Sequence, residues 1–109
     1  MRFKVTEKNK ITQLSPEGRL DALEADGFSR EAEKVLKSKP EKLLLDLSEL
    51  EYVSSAGLRA FLNLVKKADA LKIPLAFHSL SPLVAEIFEV AGFNSILKVF
   101  SDRETALKN

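Results

Sequence analysis

Residues 43–62 read LLLDLSELEYVSSAGLRAFL, and the organisation of the chain follows from them. Leu43, Leu44, Leu45 and Leu47 form a nearly continuous apolar run. A strand with one wet face alternates apolar and polar residues, whereas an unbroken run suits a central strand covered on both faces. Ser48 to Val53 reads as a short loop. Ser54-Ser55-Ala56-Gly57 then opens a helix that carries Leu58, Phe61, Leu62, Val65 and Ala68 on one face, with Lys66, Lys67 and Asp69 opposite.

The first amides of a helix have no intrahelical partner, and the helix dipole adds partial positive charge there. Ser55 is placed as the cap, its oxygen accepting one orphan N–H. A phosphate on the same oxygen would meet the same favourable field. Gly57 has no side chain and is expected to leave the helix start open to a partner. On physics alone, Ser-Ser-Ala-Gly before a helix is first an ordinary capping arrangement.

Outward from this segment the chain alternates strand and helix. Phe3 and Val5, then Ile11 and Leu14, predict an N-terminal hairpin, and Ser15-Pro16-Glu17-Gly18 is a turn signal. Asp21 with Glu24 suggests a capping box for a first helix bearing Phe28, Ala32, Val35 and Leu36, which ends at Lys37 to Pro40. Ile73, Leu75 and Phe77 alternate as a strand. Ser81-Pro82 opens a third helix, with Leu83, Val84, Ile87, Phe88 and Ala91 as its stripe and Gly92 as its stop. Ile96 to Phe100 is a last strand, and Ser101 with Glu104 caps a short terminal helix. The order ββαβαβαβα predicts an α/β fold: one mixed sheet led by a hairpin, with about four helices.

The chain has 109 residues, 45% hydrophobic and 30% charged, with a net charge of +1. This suits one domain over residues 1–109. Basic and acidic residues interleave, so the electrostatic footprint of a nucleic-acid binder is missing. There is no cysteine and one histidine, which excludes disulfides and thiolate chemistry and disfavours a zinc site. No apolar run approaches the ~20 residues that span a bilayer. Met1 to Lys10 has no signal-peptide core, and the expected location is the cytoplasm. The seven phenylalanines are scattered, which favours core filling over a base-stacking platform.

Three elements, in this order and spacing, resemble the STAS domain of bacterial anti-sigma factor antagonists. One is Leu43 to Ser48 leading to Ser54–Leu58. The second is Gly18-Arg19-Leu20-Asp21, ahead of the first helix. The third is Ser81-Pro82-Leu83-Val84 through Ala91-Gly92-Phe93. The resemblance spans essentially the whole chain. It implies a non-enzymatic binding module without cofactor. Its partner would be an anti-sigma factor that is a serine kinase, and a serine phosphatase would act on the phosphorylated form. Ser55 takes the position of the phosphorylated serine. Many antagonists have Asp just before it where this chain has Ser54, so Ser54 is the alternative acceptor. The partner-binding surface implied is Asp21, Ser54, Ser55, Ala56, Gly57, Leu58 and Arg59. Contact with nucleic acid or membrane is not expected.

A second use of the same resemblance is a STAS subunit of a transporter-associated or stress-signalling complex, without phosphorylation. A serine hydrolase using Ser55 and His78 is a third reading, but the first glycine of G-x-S-x-G would fall at Val53. His78 is expected at a surface or edge position. Asp46, Glu49 and Glu51 are expected in a solvated or hydrogen-bonded loop rather than in paired acid–base work.

Overall fold

A computed structural model describes all residues from Met1 to Asn109. β1 (Arg2–Lys8) and β2 (Ile11–Leu20) form the expected antiparallel hairpin. They are followed by α1 (Ala25–Lys37), β3 (Lys42–Asp46), β4 (Leu50–Val53), α2 (Ser55–Ala70), β5 (Leu75–His78), α3 (Pro82–Val90), β6 (Val99–Phe100) and α4 (Arg103–Lys108). The sheet runs β1-β2-β3-β5-β6, and every pairing after the hairpin is parallel. The mixed α/β class is as expected, and β3, with Leu43, Leu44 and Leu45 at 0% exposure, is the central strand.

β2 is longer than the sequence suggests. Ser15 to Gly18 makes no turn; it lies inside the strand, where β2 changes partner. Residues 11–14 pair with β3, and Gly18 to Leu20 pair with β4. Pro16 falls between the two ladders, so its missing N–H breaks neither. Gly18 has φ of +101°, open to glycine at little cost, at the register shift between Gly18 and Arg19.

β4 itself is an addition to the expected order, inside what reads as the Ser48–Val53 loop. Four residues, one of them charged, give little period-2 signal. They extend because β2 offers a free edge: Gly18 N–H donates to Glu49 O at 3.0 Å and the parallel ladder follows. Asp46 holds the intervening turn, its Oδ1 accepting the Ser48 amide at 3.0 Å. This is the hydrogen-bonded loop role expected of it.

One face of the sheet carries the larger core. Phe61 on α2 stands at its centre, with ring centroids 5.3 Å from Phe28 of α1, 5.2 Å from Phe77 of β5 and 6.0 Å from Phe88 of α3. Edge-to-face contacts of this kind lock the three helices to the sheet. Lys67, on the polar side of α2, pairs with Glu33 across the α1–α2 seam and holds that carboxyl below its ordinary range. The buried face of α2 is Gly57, Ala60, Phe61, Leu64 and Ala68; Leu58, Leu62 and Val65 lie at its margin. The other sheet face is covered only by α4, which sets Ala106 against Leu44 and Ala76.

Two helix starts differ from expectation. Asp21 accepts the Leu23 and Glu24 amides, each at 3.1 Å, and so caps a turn that precedes α1. Glu24 makes no reciprocal bond and instead meets the N-terminal amine. At α4 the cap is Asp102, whose Oδ1 accepts Thr105 N–H at 2.7 Å, in place of the Ser101–Glu104 box. A carboxylate accepts from a helix amide more strongly than a hydroxyl does. Ser81 does occupy the N-cap position of α3 before Pro82, but its hydroxyl donates to Leu50 O at 2.6 Å and ties α3 to β4. β6 keeps only Val99 and Phe100 of the expected last strand, because the 3₁₀ turn at residues 93–95 draws the next amides back: Ile96 and Leu97 N–H both donate to Phe93 O, at 3.0 and 2.8 Å.

Candidate functional site

The carboxyl ends of β2 and β4 meet at one rim of the sheet. Leu20 pairs with Val53, and the amide of Ser54 donates to Leu20 O at 2.9 Å. The register therefore brings Asp21 alongside Ser54 at the mouth of α2.

Ser54, not Ser55, is the cap. Its backbone is extended, and its Oγ accepts Gly57 N–H at 3.2 Å. Ser55 is the first helical residue, exposed, with a hydroxyl that makes no hydrogen bond within the chain. The amides of Ser55 and Ala56 are also unpaired, as the first two of any helix are. The rim thus presents a free hydroxyl beside two free amides at the positive end of a four-turn helix.

Gly57 corrects a second expectation. It is buried rather than open to a partner. A Cβ there would lie 2.7 Å from Val53 Cγ2, 2.8 Å from Leu20 O and 2.9 Å from Leu20 Cγ. The glycine lets α2 close onto the ends of β2 and β4, which fixes where Ser55 points. It belongs to the scaffold and is not itself exposed. Asp21, Ala56 and Leu58 are half-buried, and Arg59 is exposed.

Sequence reasoning missed the neighbouring surface. Leu58, Leu83, Glu86, Ile87, Val90 and Ala91 line a hollow of about 340 Å³ between α2 and α3. Leu83 is 47% exposed and Val90 84%. Leu83 and Ile87 read as core in the helical stripe; only the packing angle of α3 shows which edge stays open. Leu23, in the turn after Asp21, adds another exposed apolar side chain.

A model of the STAS domain family matches residues 2–106. The chain belongs to the STAS domain family. In sequence it is 34% identical over 90 residues to BtrV of Bordetella bronchiseptica, whose name proposes an anti-sigma factor antagonist. That match covers 83% of this chain and 78% of BtrV. In fold, the STAS chain is similar to an anti-sigma factor antagonist from Mycobacterium paratuberculosis, with a TM-score of 0.86 at 18% identity over 98% of this chain and 91% of that one. It is also similar to the phosphorylated form of the Bacillus protein SpoIIAA, with a TM-score of 0.73 at 14% identity over 98% and 97% of the two chains.

His78 lies far from the role that a hydrolase would give it, and it is not at the surface. Phe77 packs on Phe61, so His78, the next residue of β5, faces the opposite side of the sheet, under α4. It is 2% exposed. Arg103 Nε donates to Gln13 Oε1 at 3.1 Å, and His78 Nε2 lies 2.9 Å from the same oxygen. That oxygen only accepts, so Nε2 carries the proton and Nδ1 of the neutral ring accepts from the Ser79 hydroxyl at 2.8 Å. Burial pushes the His78 pKa down; Asp46 and Asp102 oppose this, and Arg103 adds to it. Both ring nitrogens are committed and Ser55 starts a helix on the other face, so the Ser55–His78 pair does not form. No group of three or more His, Cys, Asp or Glu side chains is arranged to hold a metal. No helix is long and apolar enough to cross a membrane.

Proposed function

We propose that this STAS protein is an anti-sigma factor antagonist, a binding module switched by phosphorylation of Ser55. Unmodified, it docks on an anti-sigma factor that is a serine kinase and so frees a sigma factor. Phosphorylated, it lets go, and a serine phosphatase restores it. The observation that carries this reading is the division of labour at the α2 start. Ser54 holds the helix with its hydroxyl, which leaves the exposed Ser55 hydroxyl free for transfer. Phosphate on Ser54 would give up the cap; phosphate on Ser55 would not. The relationship to BtrV, and the fold shared with a protein known in a phosphorylated form, support the same reading.

Phosphorylation adds about −1.5 to −2 charges and three acceptor oxygens. At Ser55 these meet the unpaired amides and the helix dipole, so the fold tolerates them. The cost falls on the partner. The new charge stands beside Asp21 on the rim and in front of the apolar hollow of Leu58 and Leu83, where a docked protein would have to desolvate it. Incubation with the anti-sigma kinase and ATP, followed by intact mass and fragmentation, tests the assignment. One phosphate on Ser55 is expected, lost in Ser55→Ala and retained in Ser54→Ala. Phosphate on Ser54, or none, contradicts it.

A further inference from the structure

At the opposite end of the sheet from Ser55, the β1–β2 turn and the α1–β3 loop are clasped together by Glu41 N–H donating to Lys10 O at 2.8 Å. Between them lies a cleft of about 280 Å³, lined by Glu7, Lys10, Thr12, Ser38, Lys39 and Pro40. Unlike the hollow beside α2, it is lined by charged and hydroxyl side chains, Pro40 apart.

Three observations give the cleft a chemistry. Thr12, at its base, is only 5% exposed, yet its hydroxyl has no hydrogen-bond partner within the chain. No buried side-chain polar atom of the chain lacks a partner, so this hydroxyl, on a residue otherwise enclosed, is the part that stays open to solvent and is free to donate to a ligand in the cleft. Lys10 and Lys39 stand on either side, and neither forms an ion pair within the chain. Both hold left-handed backbone, with φ of +66° and +53°, where glycine would be cheaper. The cations occur where the backbone disfavours any side chain. The Ser38 hydroxyl is already spent on Val35 O at 2.6 Å, which helps close the α1 end and leaves Thr12 as the free hydroxyl donor.

We propose that this cleft is an anion site for the phosphate group of a small molecule. Two ammonium groups and one hydroxyl match an ion with several acceptor oxygens. The volume lies just under the range of about 300–1,000 Å³ typical of drug-sized ligands, so the ligand is small. Glu7 is the one carboxylate on the wall and opposes binding. The site is independent of Ser55 and of the antagonist reading.

Titration with inorganic phosphate and with glycerol 3-phosphate, at ionic strength held constant with sodium chloride and followed by amide NMR, tests the proposal. Saturable shifts are expected at Lys10, Thr12, Lys39 and Glu41. Lys10→Gly and Lys39→Gly relieve backbone strain, so they keep the fold while weakening binding about tenfold each. Thr12→Val weakens it too, and Glu7→Gln tightens it. Lys72→Gly, at a third left-handed lysine outside the cleft, leaves it unchanged. Shifts that sodium chloride alone reproduces, that centre on Ser55 and Ala56, or that survive both cleft lysine variants would overturn the site.

Discussion

The Ser54 hydroxyl oxygen accepts the Gly57 amide at 3.2 Å, and the Ser55 hydroxyl beside it has no partner in the chain. Neighbouring serines thus differ in what their removal costs. Ser54→Ala removes a cap and should destabilise the protein by about 1 kcal/mol. Ser55→Ala removes an exposed hydroxyl and should change stability by less than about 0.5 kcal/mol. Urea unfolding of the two variants checks the difference; equal losses would mean that both hydroxyls hold the helix.

Gly57 is set by space rather than by φ. Gly57→Ala puts a methyl within 3 Å of Leu20 O, the acceptor that fixes Ser54, and of the Leu20 and Val53 side chains. The backbone oxygen has little room to retreat. A loss of about 1–3 kcal/mol is expected, seen as a lower urea midpoint. Docking should weaken as well, because the start of α2 is lifted off the rim.

His78 makes stability depend on pH. Burial lowers its folded pKa below the ordinary 6.5, so the unfolded chain takes up a proton at higher pH than the folded one. The stability it contributes is fully present above that ordinary value and is lost as pH falls through the lower folded value. The urea midpoint should therefore drop as pH falls below the ordinary value of 6.5. The drop should be smaller in His78→Gln, which cannot titrate. Equal slopes in both proteins would contradict this account of the residue.

Lys42 holds the far end of α4, its ammonium donating to Ala106 O at 2.6 Å, Leu107 O at 3.2 Å and Asn109 O at 2.7 Å. Lys42→Met keeps the stem and removes those bonds. Amide exchange in α4 should quicken about tenfold, with little change in β3. Uniform acceleration across the chain would show instead that α4 does not open on its own.

Much of the fold was legible because apolar patterning is strong where burial is two-sided. Leu43 to Leu47 announced the central strand, and Phe28, Ala32, Val35 and Leu36 announced the buried face of α1. What escaped depended on neighbours distant in sequence. The Ser15–Gly18 turn signal lies inside β2, because that strand hands over from β3 to β4 there, and β4 extends only because β2 offers an edge. The burial of His78 depends on α4 covering a face that the strand pattern alone leaves open. The caps at Ser54 and Asp102 each fall one residue from the expected position. The segment that forms the candidate site was readable; which of its two serines is free came from the geometry.

Affinity for the purified anti-sigma kinase, measured by calorimetry for the unmodified protein and for the protein quantitatively phosphorylated on Ser55, bears most directly on the switch. Binding of the modified form should be weaker by on the order of a hundredfold, with the two melting temperatures nearly the same. Equal affinities, or a loss of binding accompanied by a collapse in melting temperature, would contradict a hydroxyl that governs docking while the scaffold stays fixed.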